Sequence, residues 1–337
     1  MANWSAEPTK LLCPVKHSYW GRRFADSIIP RLAACGTKDE NLPYAELWIG
    51  AHPTAPAFAV YGDEPVSLDV LIAEHPHDIL GKVVCDRFGF ELPFLLKVLS
   101  INRPLSIQAH PDPVLAEKLH AAQPEYFPDP RHKPELALAI SPVSMLYGFR
   151  PLGAIKAAVE SNPELAGLLS VQTLERLKSE EDAPALIAEV YREVMTRSSE
   201  RVAESCRRLY DRLREKTQRT NEEEWILRLA AEYPEGDVGL FSFFLLNIYR
   251  LEPGQAIFVG DNVLHAYLEG ELLECMTNSD NVVRGGLTNK RCDTNTLLEM
   301  LDFARGEPSL VSPVASASPG FVSFSVPAAE FCLERLD

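Results

Sequence analysis

The stretch HAYLEGELLECM, His265–Met276, decides how the chain is read. Glu269 and Gly270 separate two strand-like apolar pieces, and a glycine in a two-residue connection signals a hairpin. With these two as the loop, Leu268 pairs with Glu271, Ala266 faces Leu273, and His265 faces Glu274. Directly opposed residues have Cβ atoms ~5 Å apart. The reading therefore predicts an imidazole and a carboxylate side by side on one face of a sheet.

A second polar pair lies upstream. FELPFLLKVLSI runs into LSIQAHPDP (Leu105–Pro113), where Gln108 and His110, two apart in an extended segment, share a face. Both pairs sit in largely apolar strands, and a buried polar side chain without a partner costs about 1–3 kcal/mol. Neutral imidazoles, a carboxylate and an amide oxygen make a mixed N/O set suited to zinc, with room for water or substrate. A lone strand histidine is, however, usually a satisfied structural residue, and glutamine is a rare zinc ligand. Lys97, inside FLLKVLSI, either snorkels or faces a polar cavity, and its strand leads to Gln108, which favours the cavity. Lys133-Pro134-Glu135 in RHKPE reads from spacing as an exposed charged turn, and Arg284 before Gly285-Gly286 as a solvated arginine.

Around these pieces the chain changes character twice. Up to about residue 100 it is rich in Pro and Gly, with short apolar runs, which predicts β structure and a few short helices such as VSLDVLIAEHP. Asp112 is a good N-cap and Pro113 suits a first helical position, so VLAEKLHAAQ starts directly after His110 and Pro111. Then PEYFPDPRHKPELALAI loops back into another strand. From about Leu152 to Tyr233 apolar residues recur at helical spacing, predicting four to six helices. From Gly239 the β pattern returns with FSFFLLNIYRLEPGQAIFVGDNVLHAYLEGELLECM.

The whole is 337 residues, 46% hydrophobic, with a net charge of −15 and pI near 5.1. That balance argues against nucleic acid or an anionic membrane as the main partner. MANWSAEPTKLLCPVKHSYWG lacks the basic-then-apolar order of a secretory signal, and the longest apolar stretch, VGLFSFFLLNIY, is too short for a bilayer span of ~20 residues. The seven cysteines (Cys13, Cys35, Cys85, Cys206, Cys275, Cys292 and Cys332) are scattered without a CxxC. This fits a reducing cytoplasm with no disulfide scaffold and no thiolate zinc site.

Several motifs carry a family resemblance: YWG at Tyr19–Gly21, PYAELWIGAHP at Pro43–Pro53, QAHPD at Gln108–Asp112, HKPE at His132–Glu135, and HAYLEGELLECMTNSDNVVRGGLTNK at His265–Lys290. Together they resemble type I phosphomannose isomerase. The resemblance implies an α+β, mainly β fold: a cupin-like β-barrel catalytic domain (1–151 and 236–303), an inserted all-helical domain (152–235), and a second, apparently shortened C-terminal β domain (304–337). It implies one zinc per chain, held by Gln108, His110, Glu135 and His265. Arg284, Glu274 and Lys133 take catalytic positions. Lys97 and Ser106 fall around the sugar phosphate, and Trp20, Glu46, Trp48 and His52 on the pocket wall.

The activity so implied is interconversion of mannose 6-phosphate and fructose 6-phosphate through a cis-enediol, by a cytoplasmic monomer that serves glycolysis or the supply of mannosyl donors such as GDP-mannose. A non-catalytic cupin-type sugar-phosphate sensor is the alternative, but it has no need for Glu274 and Arg284 together. An iron-dependent cupin oxygenase calls for mainly histidines and one carboxylate, which Gln108 fits poorly.

Overall fold

His265–Thr277 is one continuous strand and contains no hairpin. The structure, a computed structural model, describes residues 9–33, 39–61, 64–179, 183–304 and 306–336; Cys35 and the first eight residues of the N-terminal stretch lie outside these. The site is carried by β1 (Glu46–Ile49), β2 (Phe94–Ile101), β3 (Ile107–Ala109), α1 (Pro113–Ala122), β4 (Glu135–Ala139), β5 (Val143–Phe149), β6 (Leu246–Leu251), β7 (Ala256–Val259), β8 (His265–Thr277) and β9 (Val283–Gly286). These strands belong to one 11-stranded sheet, antiparallel at each of their pairings.

Strand β8 is its hub. The C-terminal half lies between β2 and β4, with Glu274 opposite Lys97 and Ala137. The N-terminal half lies between β5 and β3, with His265 opposite Tyr147 and Gln108. The changeover falls at Glu269-Gly270, where the pairing to β5 slips, Tyr267 facing Met145 but Glu269 facing Ser144. Such a bulge inserts one unpaired residue and reverses the alternation of faces. Tyr267 and Leu272 consequently join the same interior cluster, although they are five residues apart, while Leu268 points to the helical side.

Gly270 permits this bend. Its φ is +119°, and a Cβ there would stand 2.5 Å from the Pro142 carbonyl oxygen. The glycine signal in the sequence was therefore real, but positive φ serves a bulge as well as a turn. Of the hairpin reading, the opposition of His265 to Glu274 is wrong. Both side chains still face the interior, because the bulge corrects an odd spacing of nine.

The inner faces meet in a cluster that includes Leu99, Ala137, Met145, Ile257, Tyr267 and Leu272. Between residues 152 and 229 lie six helices among the described residues. They bury Tyr191, Leu209 and Ile226 against Ile107 and Leu146 on the outer side of the sheet. The last of them, Asn221–Leu229, starts on a capping box between Thr220 and Glu223. FSFFL forms a 3-10 turn and a short helix, Ser242–Leu245, and β structure resumes only at Leu246. That fully buried apolar run has no period to separate helix from strand. Three short strands, Val314–Ala315, Phe321–Phe324 and Leu333–Leu336, form an antiparallel sheet. Its Phe324, with Phe331, packs on Leu136 and Leu138 at the outer face of β4. Among the described residues no helix is long and apolar enough to cross a membrane.

Candidate metal centre

Three elements bring His110, Glu135 and His265 together. Strand β3 ends at Ala109, and Asp112 caps α1 by accepting from the Leu115 amide at 2.9 Å, with Pro113 in the first turn. This fixes the exit that carries His110. Glu135 and His265 each open a strand. The two imidazoles are 0% exposed and Glu135 1%, so Lys133-Pro134-Glu135, read from spacing as an exposed turn, is buried throughout.

The ring orientations are set from behind. His110 Nδ1 donates to the Asn281 carbonyl at 2.7 Å, and His265 Nδ1 to the Val263 carbonyl at 2.9 Å. Each bond puts the ring proton on Nδ1 and turns a bare Nε2 inward. His110 Nε2 lies 3.2 Å from Glu135 Oε1 and His265 Nε2 lies 3.4 Å from Glu135 Oε2. The three donor groups lie within 4.8 Å of one another, and His110 Nε2, His265 Nε2 and Glu135 Oε2 are buried without a hydrogen-bond partner among the described residues. Buried polar atoms are nearly always satisfied. A tetrahedral zinc with bonds of ~2.0–2.1 Å spaces its ligand atoms ~3.3 Å apart, so the donor set and its spacing fit zinc.

Burial pulls the His110 ring down to about 4, keeping it neutral, as a metal ligand must be. Burial pushes the Glu135 carboxyl up, but with the imidazoles neutral the Lys133 ammonium beside it opposes this and holds it below the usual carboxylate range. Lys133 Nζ stands 3.3 Å from Glu135 Oε1.

Gln108 stands in register with His265 on one side and Arg284 on the other. Residues in register share a sheet face, so one row carries His265, Gln108 and Arg284. Arg284 is half-buried, with no carboxylate partner among the described residues, and burial lowers its pKa. The solvated-arginine reading does not hold for it.

A second row crosses three strands: Trp48, Lys97, Glu274. Lys97 Nζ donates to Glu274 Oε2 at 3.1 Å and lies 3.8 Å from Glu46 Oε2, which also accepts from the Trp48 indole at 2.7 Å. Burial disfavours the Lys97 ammonium, but Glu274 and Glu46 outweigh it and raise its pKa. Burial, reinforced by the nearby Glu135 carboxylate, pushes the Glu274 carboxyl up. The polar cavity expected for Lys97 is thus a carboxylate cluster.

The remaining expected residues fall around these rows. Ser106 immediately precedes β3, two residues from Gln108, and Trp20 packs on the interior cluster. His52 stacks edge-on against Trp48 and meets Asp280 at 3.4 Å. Sequence reasoning missed two contributors. Tyr267, two residues from His265 and so on its face, is fully buried beside Glu135, and burial with that charge raises its pKa well above the usual value. Asn281 orients His110 through its carbonyl while its amide ties the Asp129 and Arg131 carbonyls, at 2.7 and 2.8 Å. The i+2 spacing could have revealed Tyr267; a backbone acceptor gives no sequence signal.

A buried centre of two imidazoles and a carboxylate on the inner face of a curled antiparallel sheet, beside a lysine–glutamate row, defines a metal-dependent protein of cupin-like architecture. The comparisons narrow this. The catalytic domain of type I phosphomannose isomerase matches residues 9–152 and the helical insertion domain of the same family matches 165–246. The mannose-6-phosphate isomerase of Rattus norvegicus is 38% identical over 357 aligned positions, covering 100% of this chain and 83% of that protein. Mannose-6-phosphate isomerase 1 of Arabidopsis thaliana is 38% identical over 90% of this chain and 72% of its own length. The crystal structure of mannose 6-phosphate isomerase from Salmonella typhimurium, bound to its substrate and to zinc, superposes with a TM-score of 0.83 at 32% identity, covering 97% of this chain and 82% of that one. The chain belongs to the type I phosphomannose isomerase family.

Proposed function

We infer that the protein is a zinc-dependent mannose-6-phosphate isomerase, interconverting mannose 6-phosphate and fructose 6-phosphate. The observation that carries this is the convergence of His110, Glu135 and His265 beside the buried Glu274–Lys97 pair. Gln108, in register with His265, completes the ligand set in this reading. One zinc per chain would supply Lewis-acid stabilisation of the negative charge that develops on the sugar oxygens.

The chain's own residues do the rest. Moving a proton between C1 and C2 needs an ionised carboxylate basic enough to accept the proton and hold it between the two transfers, and burial raises the basicity of Glu274 in that direction. It takes the proton from one carbon, leaving the cis-enediol as its enediolate, and returns it to the other carbon as the remaining hydroxyl proton shifts between O1 and O2. Lys97 fixes the base through Oε2. Its charge is committed to Glu274 and Glu46, so we assign it to holding the base and leave the sugar phosphate to Ser106. Lys133 keeps Glu135 ionised and is the second candidate for the base. Arg284 adds a fixed positive charge facing the developing enediolate, while Trp20, Trp48 and His52 wall the pocket.

In this reading residues 1–151 and 236–303 form the catalytic domain, 152–235 the helical domain, and 304–337 a further β unit. The enzyme works as a cytoplasmic monomer on a small sugar phosphate, and the net charge of −15 supports a partner other than nucleic acid or membrane. The test is metal analysis with turnover of mannose 6-phosphate, before and after chelation. Zinc-dependent turnover is expected, with Gln108→Ala and His265→Ala each losing zinc and activity together. Folded, zinc-loaded protein without turnover overturns the assignment.

A further inference from the structure

The turn that follows Arg284 is held in an unfavourable backbone conformation. Gly286 has φ +125° and Leu287 φ +53°, and Leu287 is a branched residue in the left-handed region that favours glycine. Such conformations persist only where the surroundings over-determine them. Here the surroundings come from the segment that leaves the helical unit. Asp237 Oδ1 accepts from the Leu287 amide at 2.8 Å and from the Gly239 amide at 2.7 Å, and its carboxylate also accepts from the Thr288 amide. Burial pushes the Asp237 carboxyl up and these three amides oppose that.

The backbones beneath this clamp touch. A Cβ on Gly286 would stand 2.6 Å from Gly239 Cα, and one on Gly239 would stand 2.8 Å from the Leu287 nitrogen. One residue earlier, a Cβ on Gly285 would meet Tyr191 Oη at 3.0 Å and Leu297 Cδ2 at 2.9 Å. The residue before that pair is Arg284, in register with Gln108. Arg284 itself has no carboxylate to hold it among the described residues, so its placement is inherited from the backbone that carries it.

We propose that Asp237 is a positioning residue for the isomerisation: by clamping the Leu287 and Thr288 amides it fixes the strained turn that aims Arg284 into the pocket. The segment that leaves the helical unit, through Asp237 and Gly239, and the unit itself, through Tyr191, thereby contribute to chemistry without touching substrate. This rests on the reading of Arg284 as a catalytic group.

Removing the acceptor frees the turn, and a displacement of about 1 Å at a catalytic group costs ~10²-fold in rate. Asp237→Ala should lower kcat by ~10- to 100-fold, with KM and zinc per chain close to the parent. Asp237→Asn keeps a carbonyl oxygen for the Leu287 and Gly239 amides and should retain most of kcat. Combined with Arg284→Ala, the Asp237→Ala loss should largely vanish, because the two changes remove one function. If the alanine variant does not fold, Asp237→Glu, which keeps the charge but displaces the acceptor by a methylene, should show the same loss confined to kcat. Parental kcat in Asp237→Ala, parallel loss of zinc and kcat, or losses that multiply in the double variant would each overturn the proposal while leaving Arg284 in place. Parental kcat in Arg284→Ala would instead remove the reading beneath it.

Discussion

Lys97→Met is the most direct probe of how the buried charges are arranged. Methionine preserves most of the apolar stem, so the change isolates the ammonium. Lys97 is 7% exposed and Glu274 4%, joined at 3.1 Å, which leaves little solvent to screen them. Removing one partner of a buried ion pair costs about 3–5 kcal/mol, because an uncompensated charge stays behind. Glu46 is farther off at 3.8 Å and more open, so the lower end, about 3 kcal/mol, is expected. In a chain of this size that lowers Tm by on the order of 5–10 °C. The variant Lys97→Met/Glu274→Gln removes both charges and should recover ~2 kcal/mol of the loss, a coupling expected of groups in contact. Activity supplies the second readout. Lys97 favours the ionised Glu274, so its removal raises that pKa and moves the acid limb of kcat/KM to higher pH. A Lys97→Met enzyme with parental Tm and pH profile but a raised KM would refute the reasoning and place Lys97 on the phosphate.

Two further predictions follow from the fold. Gly270→Ala must both strain a φ of +119° and displace the Pro142 carbonyl. It should cost ~2–4 kcal/mol in urea unfolding and reduce zinc content, since β8 carries His265 on one side of the bend; a change below ~0.5 kcal/mol would mean that the bulge is not fixed by this contact. His132 donates from Nδ1 to Asp261 and from Nε2 to Glu330, both at 3.1 Å, and these bonds raise its pKa to about 9. Because the folded pKa lies above the unfolded ~6.5, the clasp stabilises fully below that value and fades as pH rises through about 9. The Tm difference between the parent and His132→Gln should therefore be large near pH 6 and nearly gone above about pH 10; a pH-independent difference would show that the ring is held neutral.

Much of the architecture was legible from local signals. The helical spacing of 152–233, the Asp112 cap and the i, i+2 pair at Gln108 and His110 are short-range patterns, written within one turn or strand of chain. Lys97 in an apolar strand announced a polar cavity for the same reason. The failures were of two kinds. FSFFL is apolar on every side, so no period separates helix from strand. Gly270 announces positive φ but not which chain lies opposite, and a hairpin and a bulge demand the same residue. Arg284 and Glu135 read locally as surface charges because burial depends on what packs over them.

The sequence by itself thus determined the donor types, the strands and helices that bear them, and, through its motifs, the family. Only the tertiary structure decided that β8 runs unbroken between two sets of neighbours, with a bulge that turns His265 and Glu274 to the same interior. It also decided that Lys97 is spent on carboxylates, and that Asp237, just past the helical unit, reaches across to the Arg284 turn. These are contacts between residues tens to more than a hundred positions apart. No local propensity encodes them; they are fixed by close packing and by the demand that buried polar groups find partners.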